Sequence, residues 1–117
     1  MSYHLSSTKG KHFESIALSY LVKNNYKIIS KNYKSPFGEI DIIATKNNCL
    51  VAIEVKGGVY PHQKINKTKI DKIIKTLQFF IYQSKNKLNY SSMQIDTILI
   101  YTNGSNYTIE HITNITI

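Results

Sequence analysis

The sequence predicts an α/β domain in which a helix, three strands, a second helix and two further strands follow one another. Three observations lead to this prediction. Apolar residues recur with the period of a helix in two segments. Short runs of β-type composition lie between and after these segments, and Asn- or Gly-containing turns separate the runs. The 117 residues are predicted to form one domain, 1–117, with its own core.

Both predicted helices have one apolar side. The first, Thr8 to Asn24, has a stripe at positions i, i+3, i+4, i+7 and i+8, formed by Phe13, Ile16, Ala17, Tyr20 and Leu21. The second, from about Asn66 to Asn86, has an inner face formed by Ile70, Ile73, Ile74, Leu77 and Ile81. Each helix can therefore cover one face of a sheet.

The strands are predicted from composition and from the turns between them. The first runs from Tyr26 to Tyr33 and is followed by a turn at Ser35–Gly38. Asn47-Asn48 then separates two strands, because this pair tolerates the positive φ values of a tight hairpin. These strands are Glu39 to Lys46 and Cys49 to Lys56, and the later segments are a loop over 57–65, a strand from Met93 to Tyr101 and a last strand from Tyr107 to Ile115.

The composition is basic. The chain has 15 lysines, no arginine and seven acids, for a net charge of +8. A coding bias toward A/T explains part of the lysine excess, and an ordinary basic surface is the simple alternative. The scarcity of acids favours a surface for phosphate backbones. With a single cysteine, no secretory signal and no apolar stretch of membrane-spanning length, we expect a cytoplasmic protein.

The hairpin register places charged residues together. With a two-residue turn at Asn47-Asn48, facing residues have numbers that sum to 95, so Asp41 lies opposite Glu54 and Glu39 opposite Lys56. One face is then predicted to hold Glu39, Asp41, Ile43 and Thr45 beside Leu50, Ala52, Glu54 and Lys56. The other is predicted to be wholly apolar and to form the core, with Ile40, Ile42, Ala44, Val51, Ile53 and Val55.

The opposed carboxylates of Asp41 and Glu54 indicate a metal site, since facing like charges repel unless a cation lies between them. Mg²⁺ favours oxygen ligands and commonly uses one or two protein carboxylates. Lys56 points to the same side, where its ammonium could stabilise charge that develops on a phosphate. The alternative is a solvated strand end in which Glu39 pairs with Lys56 and the other acids lie in water.

Other candidates concern nucleic-acid contacts. Lys69 lies at the edge of the second helix's apolar stripe and Lys64 in the preceding loop, where both could contact a phosphate backbone. Tyr60, in the same loop, could stack on a base. The four histidines lack metal-ligand spacing, and no phosphate-binding glycine loop or serine triad is present.

The segment Gly38–Ala44, followed by Ile53-Glu54-Val55-Lys56, resembles the PD-(D/E)xK nuclease superfamily. It resembles more closely the YraN-like family of small bacterial proteins. Further matching residues are Gly10, Glu14, Ala17, Tyr20 and Leu21, then Asn32, Tyr33 and Lys34, then Lys69, Ile73, Phe80 and Ile81. The resemblance implies a restriction-endonuclease-like αβββαβ core with a mixed β-sheet flanked by helices.

The resemblance also implies a metal-dependent endonuclease, with Mg²⁺ or Mn²⁺, that hydrolyses phosphodiester bonds in branched or single-stranded DNA. Asp41 and Glu54 would hold the metal with the carbonyl of Val55, and Lys56 would be the catalytic lysine. Glu14 would be an accessory acid, or else an acid on the helix surface.

Two departures from the family pattern concern the grip on substrate. Lys34 replaces the usual arginine, so a bidentate phosphate clamp becomes a point charge. Gly57-Gly58 replaces polar or basic residues.

The alternatives to a nuclease are a non-catalytic nucleic-acid-binding adaptor that keeps the fold, and a structural protein with neither activity. A homodimer would suit cleavage of paired strands.

Overall fold

The structure, a computed structural model, describes residues 2–61, 65–85 and 87–115, with side chains from residue 10 onward. The α/β prediction and the order of its elements are confirmed. The elements are α1 (Ser2–Lys23), β1 (Lys27–Ser35), β2 (Gly38–Lys46), β3 (Cys49–Gly58), α2 (Lys67–Gln83), β4 (Ser92–Asn103) and β5 (Asn106–Ile112). Across the described ranges, no helix combines the length and apolarity needed to cross a membrane.

The five strands form one mixed sheet in the order β1-β2-β3-β4-β5. Strands β3 and β4 are parallel, and the other neighbouring pairs are antiparallel. A parallel pair needs a crossover, and α2 provides it. The pairing continues to Gly57 and Gly58, opposite Ile100 and Tyr101, so β3 extends two residues beyond the predicted end at Lys56.

Each helix covers one face of the sheet. Ile16, Ala17 and Leu21 of α1 pack on a cluster that includes Ile42, Ala44, Val51 and Ile53. Ile70, Ile73 and Leu77 of α2 pack on a second cluster that includes Ile40, Ile43, Leu50 and Ala52. The predicted end of α2, at about Asn86, is too late, because the helix ends at Gln83 with Ser84 as its C-cap.

The predicted hairpin register is confirmed from Lys46 and Cys49 to Ile42 and Ile53. Its turn uses Asn47 and Asn48 with φ values of 51° and 63°. This is the left-handed backbone that a two-residue hairpin requires and that Asn tolerates.

The predicted division of the hairpin into faces is wrong at Ile40. This residue packs with the α2 cluster, whereas Ile42 packs with the α1 cluster. Strict alternation would place both on one side. The interruption lies between the pairs Lys31–Ile42 and Tyr33–Ile40, where Asn32 of β1 has a φ of 52°. At Asn32 in β1 and at Asp41 in β2, the alternation of side chains between the two faces of the sheet is therefore interrupted. Asp41 is itself one member of the predicted carboxylate pair.

The segment that follows β5 is held at Asn114 by Asp96, a fully buried residue of β4. Its carboxylate accepts a hydrogen bond from the backbone N–H of Asn114 at 2.8 Å and lies 2.8 Å from His111 Nε2. The other ring nitrogen of His111 lies 2.9 Å from the hydroxyl of Tyr20 on α1. Because Asp96 binds the backbone here, β5 ends at Ile112 rather than at the predicted Ile115.

Candidate metal and nucleic-acid site

Asp41 and Glu54 lie at the end of the sheet where β2 begins and β3 ends. The regular ladder of β2 and β3 stops at Ile42 and Ile53, one position before this pair. There the backbone N–H of Val55 donates to Asp41 Oδ2 at 2.8 Å. Asp41 is thus oriented by the strand that contains Glu54, and the two carboxylates become neighbours.

Glu54 is buried, with 5% of its surface exposed. Its Oε1 lies 3.5 Å from the ammonium of Lys69 on α2. Its other oxygen, Oε2, is buried and has no hydrogen-bond partner within the described part of the chain. Burial, followed by the charge of Asp41, raises the pKa of Glu54 to about 7, although Lys69 acts in the opposite direction.

The pKa of Asp41 is also raised. Burial is the main cause, and the hydrogen bond from Val55 lowers the pKa in part. The charges of Glu14 and Glu39 raise it further, while Lys69 lowers it. The protein therefore holds two carboxylates close together in a place that disfavours the ionisation of both.

Thr97 is a further polar residue beside Glu54 that the sequence analysis missed. It is the Cα partner of Glu54 in the parallel β3–β4 ladder, so the two side chains share one face of the sheet. Thr97 Oγ1 is buried and lacks a hydrogen-bond partner among the described residues, as does Glu54 Oε2. Two adjacent polar residues, Asp96 and Thr97, within the otherwise apolar segment Ile95–Ile100 were the signal that could have identified it.

Helix α1 brings Glu14 to this end of the sheet. A Cβ atom at Gly57 would lie 2.4 Å from the ring of Phe13, so α1 approaches β3 closely only because residue 57 has no side chain. Glu14 Oε1 accepts a hydrogen bond from Asn32 Nδ2 at 3.1 Å. The predicted accessory acid is therefore near enough to Asp41 to influence its pKa.

Asn32 was not predicted as part of the site. It both interrupts the alternation of β1 and orients Glu14. An asparagine within an otherwise β-type segment was the available signal. With Gly10, Lys11, Glu14, Lys34 and Glu39 it lines a shallow cavity on the α1 side.

The other predicted residues differ in how closely the structure places them to the carboxylates. Lys56 is half-buried on β3 and, two residues after Glu54, lies on the same face. Lys34 is exposed and is the Cα partner of Glu39. Tyr60 is 90% exposed in the loop after β3. Lys64 lies outside the described residues. Lys69, predicted to bind phosphate, contacts Glu54 directly and remains about half exposed.

The donor set at this site fits a hard divalent cation. Within the described residues, no cluster of three or more His, Cys, Asp and Glu side chains could hold a metal ion. Two carboxylates are nevertheless a sufficient protein contribution for Mg²⁺, which fills its remaining positions with water and substrate phosphate. The buried Oε2 of Glu54 has an unused acceptor position for such a cation.

Comparison with known proteins places the chain in a family. Residues 13–100 match the family described as "Uncharacterised protein family UPF0102". A UPF0102 protein of Fervidobacterium nodosum is 41% identical over 107 residues, which cover 87% of this chain and 77% of that protein. One from Petrotoga mobilis is 41% identical over 102 residues, covering 84% and 90%. With residues 13–100 matched, this chain belongs to the UPF0102 family.

Proposed function

We propose that this protein is a Mg²⁺- or Mn²⁺-dependent nuclease that hydrolyses phosphodiester bonds in DNA. The observation that supports this most directly is the carboxylate pair. Glu54 keeps a buried oxygen without a hydrogen-bond partner among the described residues, beside an Asp41 that Val55 orients. In a chain with a net charge of +8, placing the half-buried Asp41 beside the buried Glu54 costs stability unless a cation lies between them.

The resemblance of the Asp41 and Glu54-Val55-Lys56 segments to the PD-(D/E)xK superfamily supports the same activity. The five-stranded mixed sheet with a helix on each face is consistent with the αβββαβ core of that superfamily. In this proposal the buried carboxylates are ligands rather than acids on a solvated strand end.

Each residue then has a chemical role. Asp41 and Glu54 would hold the cation, which supplies Lewis-acid polarisation of a phosphate oxygen when bound. The Lys56 ammonium stabilises the negative charge that develops on the phosphate during attack by water. Glu14 accepts hydrogen bonds near the same carboxylates and orients water at the α1 side. Lys34 and Lys69 contact the phosphate backbone on either side.

Incubation of the purified protein with branched, duplex and single-stranded DNA in Mn²⁺ tests the proposal. We expect cleavage that EDTA abolishes and that falls by about 10²- to 10³-fold in Lys56→Ala, as for the removal of one charge-stabilising group. Asp41→Asn should abolish it as well. Lys23→Ala, an exposed lysine at the far end of α1, is the matched control and should cleave normally. The absence of cleavage by the unmodified protein, or equal cleavage by Lys56→Ala, would disprove the proposal.

The second candidate, a non-catalytic nucleic-acid-binding adaptor, is favoured by the Lys69–Glu54 ion pair. This pair gives Glu54 a counter-charge without a metal ion. An adaptor would bind DNA in a salt-sensitive manner, with an affinity that neither EDTA nor Asp41→Asn changes, and would not cleave it. A structural protein would show no DNA retention near physiological salt.

A further inference from the structure

The turn between β1 and β2 presents an aromatic ring to solvent. Phe37 lies at its tip with 45% of its surface exposed. The turn is nevertheless fixed, because the backbone N–H of Phe37 donates to Ser35 Oγ at 3.0 Å. Ser35 Oγ in turn lies 2.9 Å from Thr76 Oγ1 on α2. The ring is therefore held in place by two elements while much of it remains uncovered.

Gly38 allows the turn to lie against α2. Its φ of 155° is a conformation that residues with side chains rarely adopt. A Cβ atom at this position would lie 3.6 Å from Lys72 Cβ and 3.7 Å from Thr76 Oγ1. The tip thus packs on the side of α2 that begins at Lys69, the residue in contact with Glu54.

The surroundings of the Phe37 ring are aromatic and basic. Phe79 meets it edge to face, with ring centroids 6.3 Å apart. The ammonium of Lys75 lies 6.0 Å from the centroid of Phe37. Lys72 borders the turn, and Lys34 lies just before it on β1. The nearby acids are Glu39, the Cα partner of Lys34, and Asp71, one helical turn before Lys75 on α2. An exposed ring among lysines is complementary to a base flanked by phosphates.

The distance from the tip of the turn to the carboxylates corresponds to a few nucleotides of a DNA strand. Phe37 precedes Asp41 by four positions, so their Cα atoms are at most about 14 Å apart. Lys69, Lys72, Thr76 and Phe79 follow one side of α2 for about 15 Å at its rise of 1.5 Å per residue. Stacked nucleotides are spaced by about 3.4 Å along a strand, so the span corresponds to about four nucleotides.

We propose that Phe37 is a stacking platform for an unpaired base of DNA. The phosphates on either side of that base would contact Lys34, Lys72 and Lys75. A paired base within a duplex already stacks on both neighbours, so an isolated ring gains a partner only where a base is exposed. The turn therefore selects single-stranded or branched DNA over fully paired duplex. This names the substrate class of the proposed nuclease and rests on that function for its use, although the binding itself requires no cleavage.

A tryptophan at position 37 gives a direct test, since the chain contains no tryptophan of its own. In EDTA, we expect a single-stranded oligonucleotide to quench the indole fluorescence of Phe37→Trp on binding. A blunt-ended, fully paired duplex with the same number of phosphates, added until the same fraction of protein is bound, should leave the fluorescence nearly unchanged. Equal quenching by both DNAs, or quenching by neither, would overturn the proposal.

Affinities in EDTA provide the second measurement. Phe37→Ala should weaken single-strand binding by about 5- to 150-fold, the loss expected for one base–aromatic stack. Its affinity for the blunt duplex should be almost unchanged. The matched control is Tyr107→Ala, an aromatic side chain 50% exposed on β5 at the opposite edge of the sheet. Equal losses for both DNAs, or a loss no greater than that of Tyr107→Ala, would contradict the proposal.

These outcomes are independent of catalysis. If the protein fails to cleave any DNA but shows selective quenching, the stacking proposal stands and the proposed nuclease activity fails. If cleavage occurs while Phe37→Ala binds single strands normally, the reverse holds. The thermal unfolding midpoints of Phe37→Ala and of the unmodified protein should be similar. Any loss of affinity is then caused by removal of the ring and not by loss of the folded structure.

Discussion

Glu54 lies where the surrounding protein disfavours its charge. Burial and the charge of the neighbouring Asp41 both raise its pKa, and they are offset in part by Lys69, whose Nζ lies 3.5 Å from Oε1, and by a hydrogen bond from the backbone of Asp41. Thr97, its neighbour on β4, also has a buried oxygen without a partner among the described residues. Such an arrangement is unfavourable for folding and suitable for binding a cation, as is common at functional sites.

The first prediction concerns stability at different pH values without metal. The raised pKa means that the folded protein binds more protons at Glu54 than the unfolded chain between about pH 4.5 and 7. The stabilisation is present below the unfolded pKa and is lost as the pH rises through 7. The pKa of Asp41 shifts in the same direction. We expect the free energy of unfolding in EDTA to be higher at pH 5 than at pH 8, with Glu54 contributing up to about 3 kcal/mol.

Urea unfolding at the two pH values measures this difference. Glu54→Gln should remove most of this pH dependence, because its free energy of unfolding at pH 8 should approach the value at pH 5. Glu39→Gln, which removes an exposed acid of the neighbouring strand β2, is the control and should retain most of the difference. A pH difference that persists in Glu54→Gln would show that other groups cause it.

At the scale of elements, the site depends on how closely α1 approaches β3. The ring of Phe13 occupies the space that a side chain at position 57 would need. The two glycines after Lys56 were predicted to lie in a loop, but they continue β3, and Gly57 lies against α1. The same contact brings Glu14 toward Asp41.

The second prediction tests this contact. Gly57→Ala should lower the free energy of unfolding by about 1–3 kcal/mol, because an atom 2.4 Å from the Phe13 ring forces the helix to move. Phe13→Ala should cost less in the Gly57→Ala background than in the unmodified protein, as a double-mutant cycle would show. Gly10→Ala is the control, since its added Cβ would meet nothing within 4 Å, and helix propensity favours alanine. Additive effects of the two substitutions would contradict the steric explanation.

At the scale of the whole molecule, most of the acidic side chains lie together while the lysines are spread over the surface. Four of the seven acids lie at the carboxylate site, since Glu14 and Glu39 raise the pKa of Asp41 and Asp41 raises that of Glu54. The rest of the surface is dominated by lysine. This separation is expected of a surface that attracts phosphate backbones toward a cation-binding centre.

The third prediction is a steep dependence of DNA affinity on salt. If Lys34, Lys56, Lys69, Lys72 and Lys75 each neutralise one phosphate, the logarithm of the binding constant for single strands should fall with log salt at a slope of about −3.5. Replacing Lys72 and Lys75 together by alanine should reduce that slope by about 1.4. Lys23→Ala should leave it unchanged. Anisotropy titrations between 50 and about 200 mM salt measure the slope, and an affinity insensitive to salt would exclude this surface.

Much of the fold could be predicted because its signals are local. The stripe of α1, the inner face of α2 and the turn at Asn47-Asn48 depend on residues close together in the chain, and the structure confirms the elements and the hairpin register. The face of Ile40 could not be predicted this way. Its side depends on the left-handed backbone of Asn32 in the neighbouring strand. Strict alternation assumes a regular ladder that this pair of strands does not have.

The sequence by itself determined the order of helices and strands and the hairpin register as far as Ile42 and Ile53, next to which Asp41 and Glu54 form a pair. Only the tertiary structure decided which distant groups surround that pair. The crossover through α2 brings Lys69 to Glu54, the parallel ladder brings Thr97 beside it, and the Phe13–Gly57 contact brings Glu14 toward Asp41. The reason is physical, since periodicity and turn chemistry act between near neighbours, whereas these contacts depend on how helices pack across the sheet.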